Sequence, residues 1–171
     1  MDFDLTDEQR AIQETVREFV DRRVLPVAQE NDINHHLDMG IIEGMAELGL
    51  LGPVIPAEYG GAGQPYEVYL QALEEVAMAW MSVGVGVSVH VMATYAMAAI
   101  GSPEQRARYL PEMISGQTLG AYALSEVQAG SDISAMMMRA KHADHGYELN
   151  GAKAWTTHGS YADFYTTFAR T

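Results

Sequence analysis

Thr6 followed three residues later by Gln9 is a capping-box pattern that opens a helix. Ile12, Val16, Phe19 and Val20 then recur at helical spacing, with Glu14, Arg17 and Glu18 on the other side. Pro26 is expected to kink or end that helix, because its ring removes a donor and crowds the preceding turn. Ile41, Ile42, Met45 and Leu48 form the apolar stripe of a shorter helix, with Gly49 or Gly52 as its stop. The stretch GPVIPAEYGGAG, Gly52 to Gly63, is too rich in Gly and Pro for a regular element and reads as a loop. Leu70, Leu73, Val76 and Ala77 mark a third helix, which runs into a segment without fixed charge from Val76 to Ile100. Ser102, Pro103 and Gln105 form a second helix start, with the proline at the first helical position. That helix is expected to end near Gly116.

After Gly116 the period changes from that of a helix to that of a strand. Leu119 to Leu124 is a short apolar run that fits a buried strand. Tyr147 and Leu149 alternate with Glu148, and Asn150-Gly151 is a strong two-residue hairpin signal. Trp155 and Thr157 alternate in turn, and Phe164, Thr166 and Phe168 line one face of a last strand. The pattern therefore predicts an α+β chain. An N-terminal all-α helical domain, 1–117, is followed by the first strands of an antiparallel β domain, 118–171. That second domain looks truncated, because its strands have edges and no visible cover.

Charge and composition narrow the function classes. The chain has 171 residues, 48% of them apolar, enough to bury a sizeable core. The net charge is -13 and the first Lys is Lys141, so the clustered basic surface that nucleic acid requires is missing. With no Cys, disulfides, a CxxC redox pair and a thiol nucleophile are excluded. The acidic start MDFDLTDEQR shows no secretory or transit signal, and a cytoplasmic protein is the expectation. The uncharged run from Val76 to Ile100 is long enough to span a bilayer. Ser82, Gly84, Gly86, Ser88, His90, Thr94 and Tyr95 interrupt it, however, and no basic cluster flanks it. It is expected to be a helix buried on all sides inside a helical core.

Candidate chemistry is sparse. His142 and His145 flank Asp144 at a hairpin turn and His35-His36 are adjacent, but neither group has the spacing of a metal cage. They read as ordinary surface histidines, and no metal is expected. No GxSxG elbow supports a serine nucleophile, and Ser131 reads as a turn or cap residue. The methionines read as core filling, with Met136 to Met138 fitting no pattern. The stretch AYALSEVQAGSD, Ala121 to Asp132, is different. Ala129, Gly130 and Ser131 leave backbone N–H groups accessible and add a hydroxyl, a combination that can cradle phosphate oxygens. Ser125 follows a strand and can present its hydroxyl to a flat polar ring edge. Trp155, Thr156 and Thr157 add an indole and two hydroxyls, which suits a planar heterocycle. The same residue types also make plain turns.

Three ordered stretches carry a resemblance. GLLGPVIPAEYGGAG, GSPEQRARYLPEMISGQTLGAYALSEVQAGSD and YELNGAKAWTTHGSYADFYTTFART together resemble the acyl-CoA dehydrogenase family, across its N-terminal helical domain and the start of its middle β domain. The resemblance implies an FAD site built from Tyr122, Ala123, Leu124, Ser125, Gly130, Ser131, Trp155, Thr156 and Thr157. Leu124 and Ser125 would contact the isoalloxazine, Trp155 would pack against it, and the Thr157 hydroxyl would point at the ring nitrogen that receives hydride. Ser131 would lie by the FAD pyrophosphate and the incoming CoA thioester of the acyl-CoA substrate. The implied reaction is α,β-dehydrogenation of an acyl-CoA thioester. Its carboxylate base belongs to a C-terminal domain absent here, so no catalytic residue is expected in this chain, Glu126 included. The helix around Val83 to Met97 would line the acyl pocket, with Gly84 and Gly86 giving room to an acyl chain or simply to core packing. An electron-transfer flavoprotein or another acceptor and a homo-oligomeric full-length form are implied partners. Two features depart from the family pattern. Val127-Gln128 replaces the usual Pro-Gly, which is expected to free that turn, and His158 stands where Asn is usual. An acyl-CoA oxidase, a flavin monooxygenase, and a non-catalytic partner subunit or truncated flavin- or acyl-CoA-binding module are the competing expectations.

Overall fold

The structure, a computed structural model, describes residues 5–171; the first four positions of the acidic start lie outside them. Helix α1, Asp7–Phe19, opens on the expected capping box, with Gln9 N–H donating to Thr6 Oγ1 at 3.2 Å and Thr6 N–H donating to Gln9 Oε1 at 3.0 Å. Val16 is buried, and the chain continues through a wide turn, Val20–Val24, in which the Leu25 N–H reaches back to the Val20 carbonyl. That extra residue places Pro26 in the first turn of α2, Leu25–Ile33, where its missing N–H has no partner to lose. The kink expected at Pro26 is therefore a π-type bulge. Helix α3, Met39–Glu47, starts at Asp38, which accepts the Gly40 N–H at 2.9 Å, and it buries Ile41, Ile42 and Met45. Leu48 caps its end and falls off the stripe. The Gly52 to Gly63 stretch is a loop with one tight turn, Ala57–Tyr59.

Helix α4, Tyr66–Ala79, turns Val68, Tyr69, Ala72 and Val76 inward, so the stripe is rotated from the expected one and Leu70 is exposed. The uncharged segment is two helices, because Trp80 breaks it with an extended backbone (φ -153°, ψ 98°). The Trp80 indole donates to Asp32 Oδ1 at 3.0 Å and pins that break to α2. Helix α5, Met81–Ile100, is long and apolar enough to cross a membrane by length and composition, and 50% of its apolar window is buried in the protein. It is not buried on all sides, as the pattern suggested. Val83, Val87, His90, Val91 and Thr94 face inward, whereas Met81, Val85, Met92, Tyr95 and Ile100 are exposed. Without charges to mark its outer face, the sequence hid that asymmetry. Helix α6, Pro103–Ile114, carries the second capping box. The main core joins α1 to α5 around Val16, Ile41, Met45, Leu51 and Val76, and a smaller cluster joins Ile55 to Leu110, Met113 and Ile114. Each such side chain, fully buried, stabilises the fold by roughly 1.5–3 kcal/mol.

Strands β1, Gly120–Ala123, and β4, Phe164–Thr167, pair with each other and lie on α5, where Thr166 Oγ1 donates to the Ala93 carbonyl at 3.0 Å. Strands β2, Arg139–Ala143, and β3, Gly146–Asn150, form a separate hairpin. The α+β class holds, with three corrections inside it. The β1–β4 pair is parallel, not antiparallel, since the whole hairpin and two loops intervene and give the chain length to cross over. The hairpin turn is at Asp144-His145; Asn150-Gly151 lies at the opposite end, where Asn150 is the register partner of Arg139. The glycine serves there for close approach, because a Cβ on Gly151 would come within 2.8 Å of the Met138 Cα. Trp155 and Thr157 belong to no strand. Trp155 (φ 59°) and His158 (φ 63°) both adopt the left-handed region, which an extended ladder does not tolerate.

Candidate functional site

Two loops far apart in sequence meet beside the end of β1. The Ala154 N–H donates to the Ser125 carbonyl at 2.9 Å, and Lys153 Nζ donates to the Leu124 carbonyl at 2.9 Å and to Glu126 Oε1 at 2.9 Å. The Lys153–Glu126 pair is nearly dry, with side chains 7% and 3% exposed. An ion pair at that depth persists only when its remaining lone pairs are filled. They are filled: the Met137 N–H donates to Glu126 Oε2 at 2.6 Å, the Met138 N–H to Oε1 at 2.9 Å, and the Gln128 amide to Oε2 at 2.6 Å. The Met137 N–H, followed by Lys153 and the Met138 N–H, draws the Glu126 carboxyl down to about 2 against the opposing effect of burial. The Met136 to Met138 run thus has a backbone role, two of its N–H groups being the carboxylate's donors, and the Met136 sulfur lies 3.2 Å from Lys153 Nζ.

The turn within the first of these loops is closed without proline. Glu126 and Ala129 exchange two backbone hydrogen bonds, at 2.8 and 3.0 Å, leaving Val127 and Gln128 at the tip. The freedom expected from the Val127-Gln128 replacement is therefore removed by Glu126 itself. Beyond the turn, Gly130 and Ser131 are exposed, and a Cβ on Gly130 would meet nothing of this chain within 4 Å. Asp132 is the capping residue here, accepting the Ser134 N–H at 3.0 Å, so the Ser131 hydroxyl is left at the surface. Trp155 stands off the protein, 93% exposed, with Thr156 and Thr157 half-buried beside it. Leu124 and Ser125 are half-buried at the contact between the loops. Tyr122 and Ala123 lie one step back on β1, where the Tyr122 ring packs on Phe168 at 5.1 Å and Ala123 is buried. The named residues thus form a loop platform, Leu124 to Ser131 on one side and Trp155 to Thr157 on the other, with two positions under it.

Two supporting residues escaped sequence reasoning. Lys153 had one available signal, as one of two lysines in a strongly acidic chain and the one close to the Trp155 motif. His90 is completely buried and joins three elements. The Gly120 N–H donates to its Nδ1 at 3.0 Å, which leaves the proton on Nε2 to be donated to the Met113 carbonyl at 2.9 Å. Burial first, and the nearby His158, push the His90 imidazole down to about 4, so the ring is neutral at physiological pH. The glycines of α5 also find partners. A Cβ on Gly84 would sit 2.8 Å from that of Ala77, and one on Gly86 would sit 2.8 Å from His158 Nε2. Both gaps are filled by protein. No group of three or more His, Cys, Asp or Glu side chains placed to hold a metal ion is found among the described residues.

The N-terminal domain model of the acyl-CoA dehydrogenases matches residues 6–117, and the middle domain model matches residues 121–171. The chain belongs to the acyl-CoA dehydrogenase family. It is 38% identical to benzylmalonyl-CoA dehydrogenase of Aromatoleum aromaticum, over 99% of this chain and 45% of that protein. Among solved structures, butyryl-CoA dehydrogenase from Megasphaera elsdenii superimposes with a TM-score of 0.90 at 32% identity, over 99% of this chain and 45% of that one. An acyl-CoA dehydrogenase complexed with FAD from Bacillus anthracis gives a TM-score of 0.89 at 32% identity, over 97% of this chain and 29% of that one. The chain therefore spans less than half the length of these acyl-CoA dehydrogenases.

Proposed function

We propose that the protein to which this chain contributes its helical domain, ending near residue 117, and its first flavin-facing strands is an FAD-dependent acyl-CoA dehydrogenase. FAD, when bound, supplies the hydride acceptor for α,β-dehydrogenation of an acyl-CoA thioester. The observation that carries this reading is the meeting of the Leu124–Ser125 and Ala154–Trp155 segments through the Ala154 to Ser125 bond. That contact fixes an exposed indole next to a row of hydroxyls and leaves open space over Gly130. The donor set fits a flavin. Ser125, Thr156 and Thr157 offer hydroxyls to a ring edge, Trp155 offers an aromatic plane, and Gly130 and Ser131 offer donors to phosphate oxygens at the exposed end. Ser131 in this reading also meets the incoming CoA thioester.

The platform binds and orients; it holds no base. Glu126 is kept ionised by three N–H donors and the ion pair with Lys153, so it has neither the free lone pair nor the basicity to take a proton from substrate. The base comes from outside this chain. The bare face of α5, Met81, Val85, Met92 and Tyr95, supplies an apolar wall for the acyl chain. An electron-transfer flavoprotein or another acceptor, assembly into a homo-oligomer and a cytoplasmic location complete the proposal. The test uses the full-length protein. Added FAD is expected to bind saturably and quench tryptophan fluorescence, and anaerobic acyl-CoA is expected to bleach the flavin absorbance. A Trp155→Ala variant that binds FAD as tightly as the parent, with the same quenching, overturns the placement of the site.

A further inference from the structure

The loop that carries Trp155, Thr156 and Thr157 is tied down at its far end by His158. The His158 backbone is left-handed, and its carbonyl accepts the N–H groups of Tyr161 and Ala162, both at 2.8 Å. Its side chain reaches back to β1, where Nδ1 lies 3.0 Å from the Gly120 carbonyl. A carbonyl only accepts, so Nδ1 carries the proton. The same glycine donates its N–H to His90. Gly120 is thereby gripped on both sides, by a ring from α5 and by a ring from the loop. The His158 ring fits because α5 has a glycine beneath it, with the missing Cβ of Gly86 standing 2.8 Å from Nε2.

We infer that His158 is a positioning residue, seated by Gly86 and bonded to Gly120, that fixes Thr157 and Trp155 for their work on the flavin; this rests on the proposed function above. The seat and the bond are separable. Asn has an amide N–H where imidazole has Nδ1–H, tolerates left-handed backbone, and does not extend to the Nε2 position. His158→Asn therefore keeps the bond and no longer needs the seat, whereas His158→Ala loses the bond. Gly86→Ala keeps the imidazole but fills its seat.

The experiment compares His158→Ala, His158→Asn, Gly86→Ala and the Gly86→Ala/His158→Asn pair in the FAD-loaded full-length protein. The rate of flavin reduction at saturating acyl-CoA and the KM are measured, with flavin content and thermal unfolding followed alongside. His158→Ala and Gly86→Ala are each expected to slow reduction about 10-fold to 100-fold with KM changed less than about 3-fold, since the defect is one of alignment. His158→Asn is expected to recover most of the rate, and Gly86→Ala is expected to be nearly neutral in the His158→Asn background. Equal rates for His158→Ala and His158→Asn, or a Gly86→Ala defect of the same size in both backgrounds, overturn the inference. A second readout needs no flavin. Nitrogen NMR of the imidazole in flavin-free full-length protein is expected to show a hydrogen-bonded Nδ1–H for His158 that Gly86→Ala abolishes. A protein that takes up no FAD sinks the dehydrogenase reading. The NMR result then still decides the clamp: a protonated Nδ1 supports it, and a bare Nδ1 overturns it.

Discussion

Met45 and Glu126 are both buried, in opposite surroundings. Met45 sits among Val16, Ile41, Leu51 and Val76 in a core that joins five helices. Glu126 is surrounded by donors from Gln128 in its own turn and from Met137, Met138 and Lys153, which are brought from two other segments. The helical region is held by apolar area, which is non-directional and spread over many residues. The loop platform is held by a few directional bonds with no large core beneath it, and its buried apolar residues are mostly small, such as Ala121, Ala123 and Ala129. A core of the first kind sets stability. A network of the second kind sets geometry, and geometry is what the proposed flavin site needs.

The comparison breaks most visibly at Met45. Met45→Ala in the full-length protein is expected to cost about 2–5 kcal/mol in denaturant unfolding while leaving the FAD affinity of the folded fraction unchanged. A parallel loss of FAD affinity would show that the two regions are not separable. Acid is the next largest lever, and it acts on the joint between them. The folded His90 imidazole is depressed from 6.5 to about 4, so the unfolded chain binds the extra proton first. Stability is fully present above pH 6.5 and falls by about 3 kcal/mol as pH drops to about 4. His90→Gln is expected to be less stable at neutral pH and to lack that slope. Glu126 acts in a lower window. Its carboxyl is depressed from 4.5 to about 2, and its contribution is lost only as pH falls through that range.

The third break falls on the platform alone. Lys153→Met leaves the Glu126 carboxylate buried without its cation and frees the Leu124 carbonyl, so the two loops separate. The rate of flavin reduction by acyl-CoA is expected to fall about 100-fold, measured by stopped-flow bleaching, because a misplacement on the order of 1 Å is enough for that loss. Lys153→Arg is expected to restore little, since a planar fork does not fit a seat shaped for three tetrahedral donors.

The same contrast governs what could be read from sequence. The helices were legible because capping boxes at Thr6 and Ser102 and apolar stripes such as Ile41, Ile42 and Met45 are local signals. Errors there are small rotations, as with Leu70, or arise where charge was missing, as on the bare face of α5. Beyond Gly116 the reading weakened, because strand pairing is non-local. Nothing near Gly120 says that its partner is Phe164 in parallel, and Asn150-Gly151 has turn chemistry but serves close packing. Residue types already marked Ser125, Gly130, Ser131 and Trp155 to Thr157, and the family resemblance made one site of them, while the residues that hold them, Lys153, His90 and His158, were invisible as partners. Each bonds backbone groups 23 to 38 residues away, Lys153 and His158 through one nitrogen and His90 through both of its ring nitrogens.

The smallest test sharpens the joint. In α6 the Gln105 N–H donates to Ser102 Oγ at 3.2 Å, and Gln105 Oε1 accepts the Ser102 N–H at 2.8 Å. Ser102→Ala removes the first bond and loosens the second, at a cost of about 1 kcal/mol. The cap stands at the start of the helix, whereas Met113, whose carbonyl receives the His90 proton, lies in its last turn with Leu110 and Ile114 buried beside it. Fraying at the start therefore does not reach the His90 bond. The unfolding free energy of Ser102→Ala is expected to run parallel to that of the parent from pH 6.5 to about 4, displaced by the cap alone. A flattened curve would mean that α6 moves as one body and that His90 is held by the whole helix, not by the packed last turn.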